Sequence, residues 1–280
     1  MRRIPRQPET DMRFSLVMAT HLRANLLRRA LTSVLAQDAA LLTQLEIIVV
    51  ADALDAATGA ALAELLRPQD QFLRRSGVPG PAESRNAAFK LCSGDWLMFL
   101  DDDDTWTPTH LARIEEVLRG DATGHPCWFS DTVFQFEDRG LDQGATSVQP
   151  LRQEVLDLGG RDVAQIFVKN FIPNNTLVFK RSLLDGLTVD AHLASQEDWD
   201  YLLGAASRAL PRHYRGGGAI VHKDVNPGTR RGSSASSNDQ TVVLDFLHVY
   251  RRWPAPTPEL KAQRQALLKS VGLDLPVNWF

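Results

Sequence analysis

The sequence has little cysteine, almost no net charge and no long apolar segment. Its two cysteines, Cys92 and Cys127, do not form a CxxC pair, which argues against a disulfide framework or a zinc site and favours a reducing compartment. The longest apolar stretch, residues 45–66, contains four acidic residues, so we expect no membrane-spanning helix. The net charge of −3, from 31 Lys and Arg against 34 Asp and Glu, gives no electrostatic case for binding nucleic acid. These absences predict a globular, cytoplasmic protein.

The first half of the chain alternates strand and helix patterns. A polar lead-in, residues 1–12, lacks an apolar signal core and is predicted to be disordered. After it, short strand-like runs, of which 46–51 is a nearly continuous β-branched run, alternate with helix-like segments, of which 25–35 has apolar residues at helical spacing and 56–66 is rich in Ala and Leu. We predict strands over 14–19, 46–51, 71–74 and 96–100, and helices over 25–35, 56–66, 81–91 and from the N-cap Thr107 with Pro108 to about 119. Such alternation is typical of a parallel sheet that binds ligands at the carboxyl ends of its strands.

The second half is less regular and ends in two predicted helices. We predict strands over 127–136 and 175–180 and one ending near 222, loops over 140–150 and 225–239, and helices over 162–169, 197–206, 240–252 and 258–269. The later loop is rich in Gly, Ser and Arg and is predicted to be mobile. Its Arg230 and Arg231 either close over a bound diphosphate or are solvated. The final helices can pack on the rest of the protein, rest on a membrane surface or mediate a homodimer.

Four consecutive aspartates, Asp101–Asp104, follow the buried strand pattern WLMFL. Like charges at the end of a buried strand repel each other and lose solvation, and a divalent cation offsets both costs. Asp104 can instead cap the helix that follows. Two enzyme classes fit the pattern: a sugar-nucleotide-dependent transferase with a DxD metal site, and a phosphatase of the haloacid dehalogenase type with Asp101 as the nucleophile of DxDxT. The phosphatase motif belongs after the first strand of its fold, whereas three predicted strands precede WLMFL here.

Four segments of the chain carry the motifs of a known family in the right order. They are FSLVMATHLRANLLRRALTSVLAQ, EIIVVADALDAAT, GPAESRNAAFKLCSGDWLMFLDDDDTWTP and SQEDWDYLL. Together they resemble family 2 glycosyltransferases of the GT-A fold, over residues 13–223. The resemblance implies an α/β, Rossmann-like fold with a mostly parallel central sheet flanked by helices, plus a C-terminal helical extension. It implies a nucleotide-sugar-binding half over 13–105, an acceptor-binding half over 106–224, and a loop with helices over 225–280.

Carried over position by position, the resemblance implies a complete donor site. Nucleotide-sugar contacts fall on Ala19, Thr20, Asp52, Arg85, Asp101 and Asp102. The ligands of a divalent metal, Mn²⁺ or Mg²⁺, fall on Asp103, Asp101 and His222. The catalytic base falls on Asp198, and candidate acceptor contacts on Glu197, Trp199 and Asn174. The family often has two acids after its second strand, and Ala51 stands in place of the first here.

Each of these residues also has an ordinary structural interpretation. The charged ones can cap helices, form turns or pair on the surface, and the others can pack in the core. Asp198 or Glu197 can cap a helix, and Asp52 and the pair Asn174-Asn175 can form turns. Arg85 can form a surface ion pair with Glu83 or Asp95. His222 can be a loop histidine, and Trp199 can be a core residue.

The expected reaction is inverting transfer of a sugar from a nucleotide-diphosphate donor to an acceptor hydroxyl. A cation stabilises the diphosphate leaving group, and a carboxylate removes the hydroxyl proton. Asp52 and Arg85 favour a UDP-sugar, while the acceptor can be a carbohydrate, a lipid-linked molecule or a small molecule. A non-catalytic module that binds a sugar or nucleotide is an alternative of another class. A nucleotidyltransferase is disfavoured because the turn ATHLRANL lacks a Gly-rich phosphate loop.

Overall fold

The computed structural model describes residues 12–140, 148–226 and 240–280. Its first four strands are β1 (Phe14–His21), β2 (Leu45–Ala53), β3 (Gln71–Arg74) and β4 (Trp96–Phe99). The helices in their connections are α1 (Ala24–Leu35), α2 (Ala39–Leu42), α3 (Ala56–Leu65) and α4 (Pro81–Phe89). The four strands pair in parallel in the order β3-β2-β1-β4. The strand and helix alternation predicted for the first half is therefore confirmed.

The same sheet continues into the second half of the chain. Its further strands are β5 (Thr105–Trp106), β6 (Cys127–Asp138), β7 (Gln149–Leu156), β8 (Leu177–Lys180) and β9 (Arg212–Asp224). The order runs on as β4-β8-β6-β9-β5, with β7 paired to β6. In this half, β6 and β9 are parallel to each other, and the other described pairs are antiparallel. The α/β fold is as expected, and its sheet is parallel in the first half and mixed in the second.

The remaining helices are α5 (His110–Gly120), α6 (Glu197–Ala206), α7 (Gln240–Arg252) and α8 (Pro258–Ser270). Short 3-10 segments cover Val163–Phe167, Asn174–Thr176, Arg181–Leu184 and Val277–Trp279. The helix predicted over 162–169 is thus one of these 3-10 segments. The predicted lead-in up to residue 11 and the part of the predicted loop with Arg230 and Arg231 lie outside the described residues.

Three local predictions are corrected by pairing across the sheet. The helix predicted from Thr107 begins at His110, because the Thr107 backbone N–H donates to the carbonyl of Gly218 at 2.6 Å and prolongs the pairing of β5 with β9. Both β5 and β7 were absent from the sequence prediction. The division expected after residue 105 falls inside β5, so the two predicted halves share one sheet.

Apolar residues alternate between two cores along the parallel strands. In β1, Leu16 and Met18 pack in the core that contains α1, whereas Val17 packs in the core that contains α6 and the C-terminal helices. This alternation follows from the period of two of side chains along a strand. The strand ends are thereby held between two packed layers, which fixes the loops that follow them.

The C-terminal helices pack on the core beneath α6. The hydroxyl of Tyr250 donates to the carbonyl of Val168 at 2.6 Å. Arg264 is fully buried and donates to the carbonyls of Phe167 (2.5 Å), Tyr250 (3.2 Å) and Trp253 (2.8 Å). Burial lowers the pKa of the Arg264 guanidinium to about 10. Of the interpretations of these helices, packing on the rest of the protein is confirmed.

Both cysteines are buried and free, and burial raises the pKa of the Cys92 thiol to about 12. In the described ranges, no helix combines the length and the apolar character that crossing a bilayer requires.

Candidate functional site

The innermost aspartate of the acidic run has a structural role. Asp104 is buried and accepts hydrogen bonds from the backbone N–H of His222 (2.7 Å) and from the amide of Asn175. Burial, followed by repulsion from the neighbouring aspartates, holds the pKa of Asp104 well above its ordinary value. The interpretation of Asp104 as a helix cap is corrected, because the residue before α5 is Thr109 and Asp104 instead ties the acidic run to β9.

Asp102 joins the acidic run to the turn after β1. Its carboxylate accepts a hydrogen bond from the hydroxyl of Thr20 at 2.7 Å and pairs with the guanidinium of Arg23 at 3.1 Å. Burial raises the pKa of Asp102 to about 6, although the charge of Arg23 opposes the shift. The predicted contacts Thr20 and Asp102 are thus brought together, and Asp102 is oriented by protein groups on both of its oxygens.

Asp101 and Asp103 are the aspartates that a ligand can reach. Their side chains are 43% and 24% exposed, and both line one cavity. Asp101 pairs with Arg85 at 3.1 Å, and Asp103 pairs with Arg139 at 2.9 Å and with Arg23 at 3.4 Å. Arginines therefore neutralise the two carboxylates in this structure.

Arg85 connects the acidic run to α6. It is buried and bridges Asp101 and the carboxylate of Glu197, the latter at 2.9 Å. Burial opposes its positive charge, but the two acids outweigh that effect and raise its pKa. Arg85 does not make the surface pair with Glu83 or Asp95 that the sequence left open. It is instead a buried link between the predicted donor contacts and the predicted base segment.

Asp198 lies next to this link, in the first turn of α6. One of its oxygens accepts a hydrogen bond from the backbone N–H of Trp199 at 2.7 Å. Burial, followed by repulsion from Glu197, raises the pKa of Asp198 to about 6, and the charge of Arg85 limits the rise. A carboxylate with a pKa near neutrality is suited to accept a proton during a reaction.

The backbone is strained at two points beside the site. Leu22 has φ of +53° and Gln196 has φ of +64°, and these are the non-glycine residues with positive φ in the described ranges. Leu22 directly follows β1, and Gln196 directly precedes Glu197. Left-handed backbone in non-glycine residues is costly and concentrates at functional sites. Leu22 and Gln196 fit this pattern, because each lies next to a residue that lines the cavity described below.

A cavity of about 370 Å³ gathers most of the predicted donor residues. At one end, Asp52 shares a hydrogen bond with His21 and accepts another from the backbone N–H of Gly80 at 2.8 Å. Burial alone would raise the pKa of Asp52, but these hydrogen bonds outweigh it and lower the pKa. The lining residues are Ala19, Thr20, His21, Arg23, Asp52, Gly80, Pro81, Ser84, Arg85, Asp101, Asp102, Asp103 and Glu197.

His222 does not line this cavity but lies in a network behind it. Its Nδ1 donates to the carboxylate of Glu137 at 2.8 Å, and its Nε2 lies 2.9 Å from the hydroxyl of Thr105. Burial would raise the pKa of Glu137, but hydrogen bonds from His222, Arg29 and Arg139 outweigh it and lower the pKa to about 2. Both arginines also bond Asp103, one through its carbonyl and the other through its carboxylate.

Of the candidate acceptor contacts, Trp199 is corrected by its burial. It is fully buried, and its indole N–H donates to the carbonyl of Ile166 at 2.7 Å, so no face of the ring is open to a sugar. Asn174 is also buried, and its amide nitrogen has no hydrogen-bond partner within the part of the chain that the structure describes. The neighbouring Asn175 instead supports the acidic run, by accepting from the backbone N–H of Asp101 at 3.1 Å.

The partly exposed carboxylates fit a divalent cation that arrives with a phosphate ligand. Across the described residues, no three acidic, histidine or cysteine side chains converge as a metal site. Mg²⁺ is usually bound by one or two carboxylates together with substrate phosphates. Asp101 and Asp103 provide such a pair of oxygen donors, whereas both ring nitrogens of His222 already face protein groups.

The sequence did not predict five further residues of the site, which are basic residues and one acid that lies behind the cavity. They are His21, Arg23, Arg29, Glu137 and Arg139. Arg23 was within reach of prediction, because it stands in the turn that follows the first strand motif. Glu137 and Arg139 had no local signal, since their partners are distant in sequence.

A larger cavity of about 970 Å³ lies between the segment 188–192, α7 and the C-terminal residues. It contains none of the strand-end carboxylates. We therefore assign the candidate active site to the smaller cavity, where the acids, Arg85 and the start of α6 meet.

Comparison with known proteins relates the chain to glycosyltransferases. The family described as Glycosyl transferase family 2 matches residues 15–167, more than half of the chain. The succinoglycan biosynthesis protein ExoO of Rhizobium meliloti (strain 1021) is 35% identical over 108 residues, which cover 39% of this chain and 30% of that protein. The uncharacterized glycosyltransferase YwdF of Bacillus subtilis (strain 168) is 28% identical over 199 residues, or 70% of this chain and 68% of that protein.

Solved structures show the same fold at low sequence identity. S. aureus TarS (residues 1–349) in complex with UDP-GlcNAc superposes with a TM-score of 0.60 at 18% identity, covering 92% of this chain and 72% of that one. The mannosyltransferase PcManGT from Pyrobaculum calidifontis, in complex with GDP-Man and Mn²⁺, gives 0.54 at 16% identity, covering 99% and 80%. Both have the GT-A fold.

The matches do not extend over the whole of the first relatives. The aligned part of this chain spans 30% of the length of ExoO and 52% of the uncharacterized glycosyltransferase alr2836 of Nostoc sp. (strain PCC 7120).

Proposed function

This chain belongs to glycosyl transferase family 2, and from that premise we propose that it transfers a sugar from a nucleotide-diphosphate donor to an acceptor hydroxyl. A UDP-sugar is the preferred donor, and a single displacement inverts the anomeric centre. One observation carries the proposal: Asp52, the exposed acids Asp101 and Asp103, and Arg85 line one cavity that ends at Glu197, beside Asp198.

The donor end of the proposal rests on the cavity between β1 and β2. Its volume of about 370 Å³ lies in the range of small-molecule sites. Asp52 and His21 offer hydrogen bonds to a nucleobase. Ala19 and Thr20 line the same cavity, as do the aspartates of the acidic run. Binding of UDP-GlcNAc by TarS and of GDP-Man by PcManGT supports a nucleotide sugar as the ligand class.

At the diphosphate end, Asp101 and Asp103 would hold a divalent cation. When bound, such a cation stabilises the charge that accumulates on the leaving diphosphate. Arg23 lines the same cavity, pairs with Asp102 and Asp103, and can exchange its carboxylate partner for a phosphate oxygen, because guanidinium groups bind both. The arginines thus keep the acids neutralised until a donor is present.

At the other end, Asp198 is the proposed general base. Its carboxylate takes the proton of the acceptor hydroxyl as the oxygen attacks the anomeric carbon. The pKa of about 6 leaves the group ionised at neutral pH and still basic enough to accept that proton. Arg85 orients the segment by binding Glu197, the residue before the base.

The phosphatase alternative is not favoured. It requires Asp101 as a nucleophile, but the carboxylate of Asp101 is paired with Arg85, and the family match supports a transferase.

The test is nucleotide release from a panel of donors. Purified protein with Mn²⁺ is incubated with UDP- and GDP-sugars, and the free nucleoside diphosphate is measured. We expect slow hydrolysis of at least one donor, with UDP-sugars first, and its loss in Asp103→Asn. The exposed Asp274→Asn, which only breaks a surface pair with Lys269, serves as the matched control. No release from any donor, together with phosphate release from aryl phosphates that is lost in Asp101→Asn, would favour the phosphatase.

A further inference from the structure

Two consecutive residues before the proposed base line two different cavities. Glu197 lines the donor cavity, whereas Gln196 lines a second cavity of about 520 Å³ between the segment 169–170, α7 and α8. Gln196 has a left-handed φ, and this change in backbone conformation accompanies the change of cavity between Gln196 and Glu197. α6, whose second residue is Asp198, therefore begins between the residues that line the two cavities.

The second cavity is mainly apolar. Val243 and Phe246 line it from α7, and Leu267 lines it from α8. Each of these side chains is only partly buried, so apolar surface is left open in the cavity. Lys169, Asn170, Gln196 and Ser270 supply polar groups in the same lining. A mostly apolar wall with few polar groups is typical of a small-molecule site.

The wall of this cavity is tied to the base segment. Asp245, on α7, accepts hydrogen bonds from both the backbone N–H and the hydroxyl of Ser195, each at 2.8 Å. Phe246 lies with its ring centroid 4.9 Å from that of Trp199, the residue after Asp198. A ligand that contacts α7 in this cavity is thus held against the same segment that carries the proposed base.

From this arrangement we propose that the second cavity is the acceptor subsite, and that the acceptor carries an alkyl chain next to its hydroxyl-bearing group. The proposal rests on the proposed function, because a base must contact the acceptor while the donor occupies the other side. The donor takes the Glu197 side, which leaves the Gln196 side for the acceptor. The apolar lining selects an alkyl-bearing acceptor over a bare sugar.

The probe is octyl β-D-glucopyranoside below its micelle concentration, compared with methyl β-D-glucopyranoside. Binding of each is measured by calorimetry in the presence of UDP and Mg²⁺. We expect the octyl compound to bind about tenfold more tightly or better, which corresponds to the burial of about two methylene groups. Equal affinity for the two glucosides would overturn the proposal.

Two variants and one control connect the binding to this cavity. Ser270→Trp fills the cavity from an exposed position, and Val243→Asp places a charge in its wall. Either should remove the advantage of the octyl compound. Leu244→Asp carries the same change to the next position of α7, which is 64% exposed and lines a different cavity, and should keep the advantage. Octyl binding that survives Ser270→Trp contradicts the proposal even if Val243→Asp fails to fold.

Two further outcomes separate the proposal from its alternatives. If UDP does not bind in any of these titrations, the proposed function fails independently of the acceptor subsite. If the octyl compound does not bind and Val243→Asp changes the mass of the protein in sedimentation velocity, a second copy of the chain covers this face and the acceptor proposal is wrong.

Discussion

Replacement of Asp198 by asparagine removes the proposed base while its local structure is kept. The carboxylate accepts a 2.7 Å hydrogen bond from the backbone N–H of Trp199, and an amide oxygen accepts the same bond. General bases contribute about 10²- to 10⁴-fold to a rate, or about 3 to 5 kcal/mol of the barrier. We expect Asp198→Asn to lower kcat by about this factor. The affinity for UDP should stay nearly unchanged, because Arg85 keeps its bonds to Asp101 and Glu197.

The same substitution should change the pH profile. Burial, and then the charge of Glu197, raises the pKa of Asp198 to about 6, so the base is lost by protonation as the pH falls. In the wild type, kcat/KM should increase about tenfold per pH unit up to about pH 6 and then level off. Release of UDP from the best donor, measured on both sides of pH 6, checks this. Asp198→Asn should have no such acidic limb.

A nearby carboxylate provides the control. Asp200, on the same helix, is fully buried and bonded to Arg252 and to the indole of Trp253, each at 2.8 Å. Asp200→Asn should lower the Tm but keep the acidic limb. The assignment of the base is refuted if Asp198→Asn keeps that limb, or if it retains wild-type activity.

Three more predictions test other parts of the structure. Asp52→Ala should weaken UDP binding by about tenfold, the effect of one hydrogen bond to a charged group, and unchanged affinity in calorimetry would show that Asp52 does not contact the nucleotide. Glu137→Gln breaks a buried ionic network and should cost about 3 to 5 kcal/mol at neutral pH. Because the pKa of Glu137 is lowered from 4.5 to about 2, the wild type should lose this advantage as the pH falls through that interval, and a pH-independent difference in urea unfolding would contradict the network. Gly94→Ala places a Cβ 2.7 Å from the backbone of Phe14 and should destabilise by about 1 to 3 kcal/mol. Gly59→Ala, which meets nothing within 4 Å in α3, should raise the Tm instead.

The elements that the sequence predicted well are those with a local signal. The runs that form β2 and β4 are apolar on both faces, α3 is rich in Ala and Leu, and α4 begins at Pro81 directly after Gly80, so no distant partner is needed to recognise them. By contrast, β7 is exposed along most of its length, and its polar sequence becomes a strand only through pairing with β6. The two residues of β5 likewise depend on β9, which is more than 100 residues away.

The site shows the same division between local and distant information. Asp101 and Asp103 were found because like charges after a buried strand are unusual in themselves. Arg85, which pairs with Asp101, was predicted as well, but Arg29 and Arg139 were not, because their partners are set by the fold: Arg29 pairs with Glu137 across 108 residues and Arg139 with Asp103 across 36. Of the two interpretations of Trp199, the core residue agrees with its burial; sequence position gave its proximity to the base but not the direction of its ring.

Calorimetry of UDP binding, with and without Mn²⁺, shows whether Asp101 and Asp103 bind the donor through a divalent cation. Asp101 and Asp103 are paired with arginines in the described structure. A diphosphate that draws these arginines away leaves two carboxylates beside its own negative charge, and a divalent cation would offset that repulsion. We expect UDP to bind in the presence of Mn²⁺ and at least about tenfold more weakly without it, and Asp103→Asn to remove this difference. Absence of metal-dependent binding, for UDP and for GDP alike, would refute a cation site at Asp101 and Asp103.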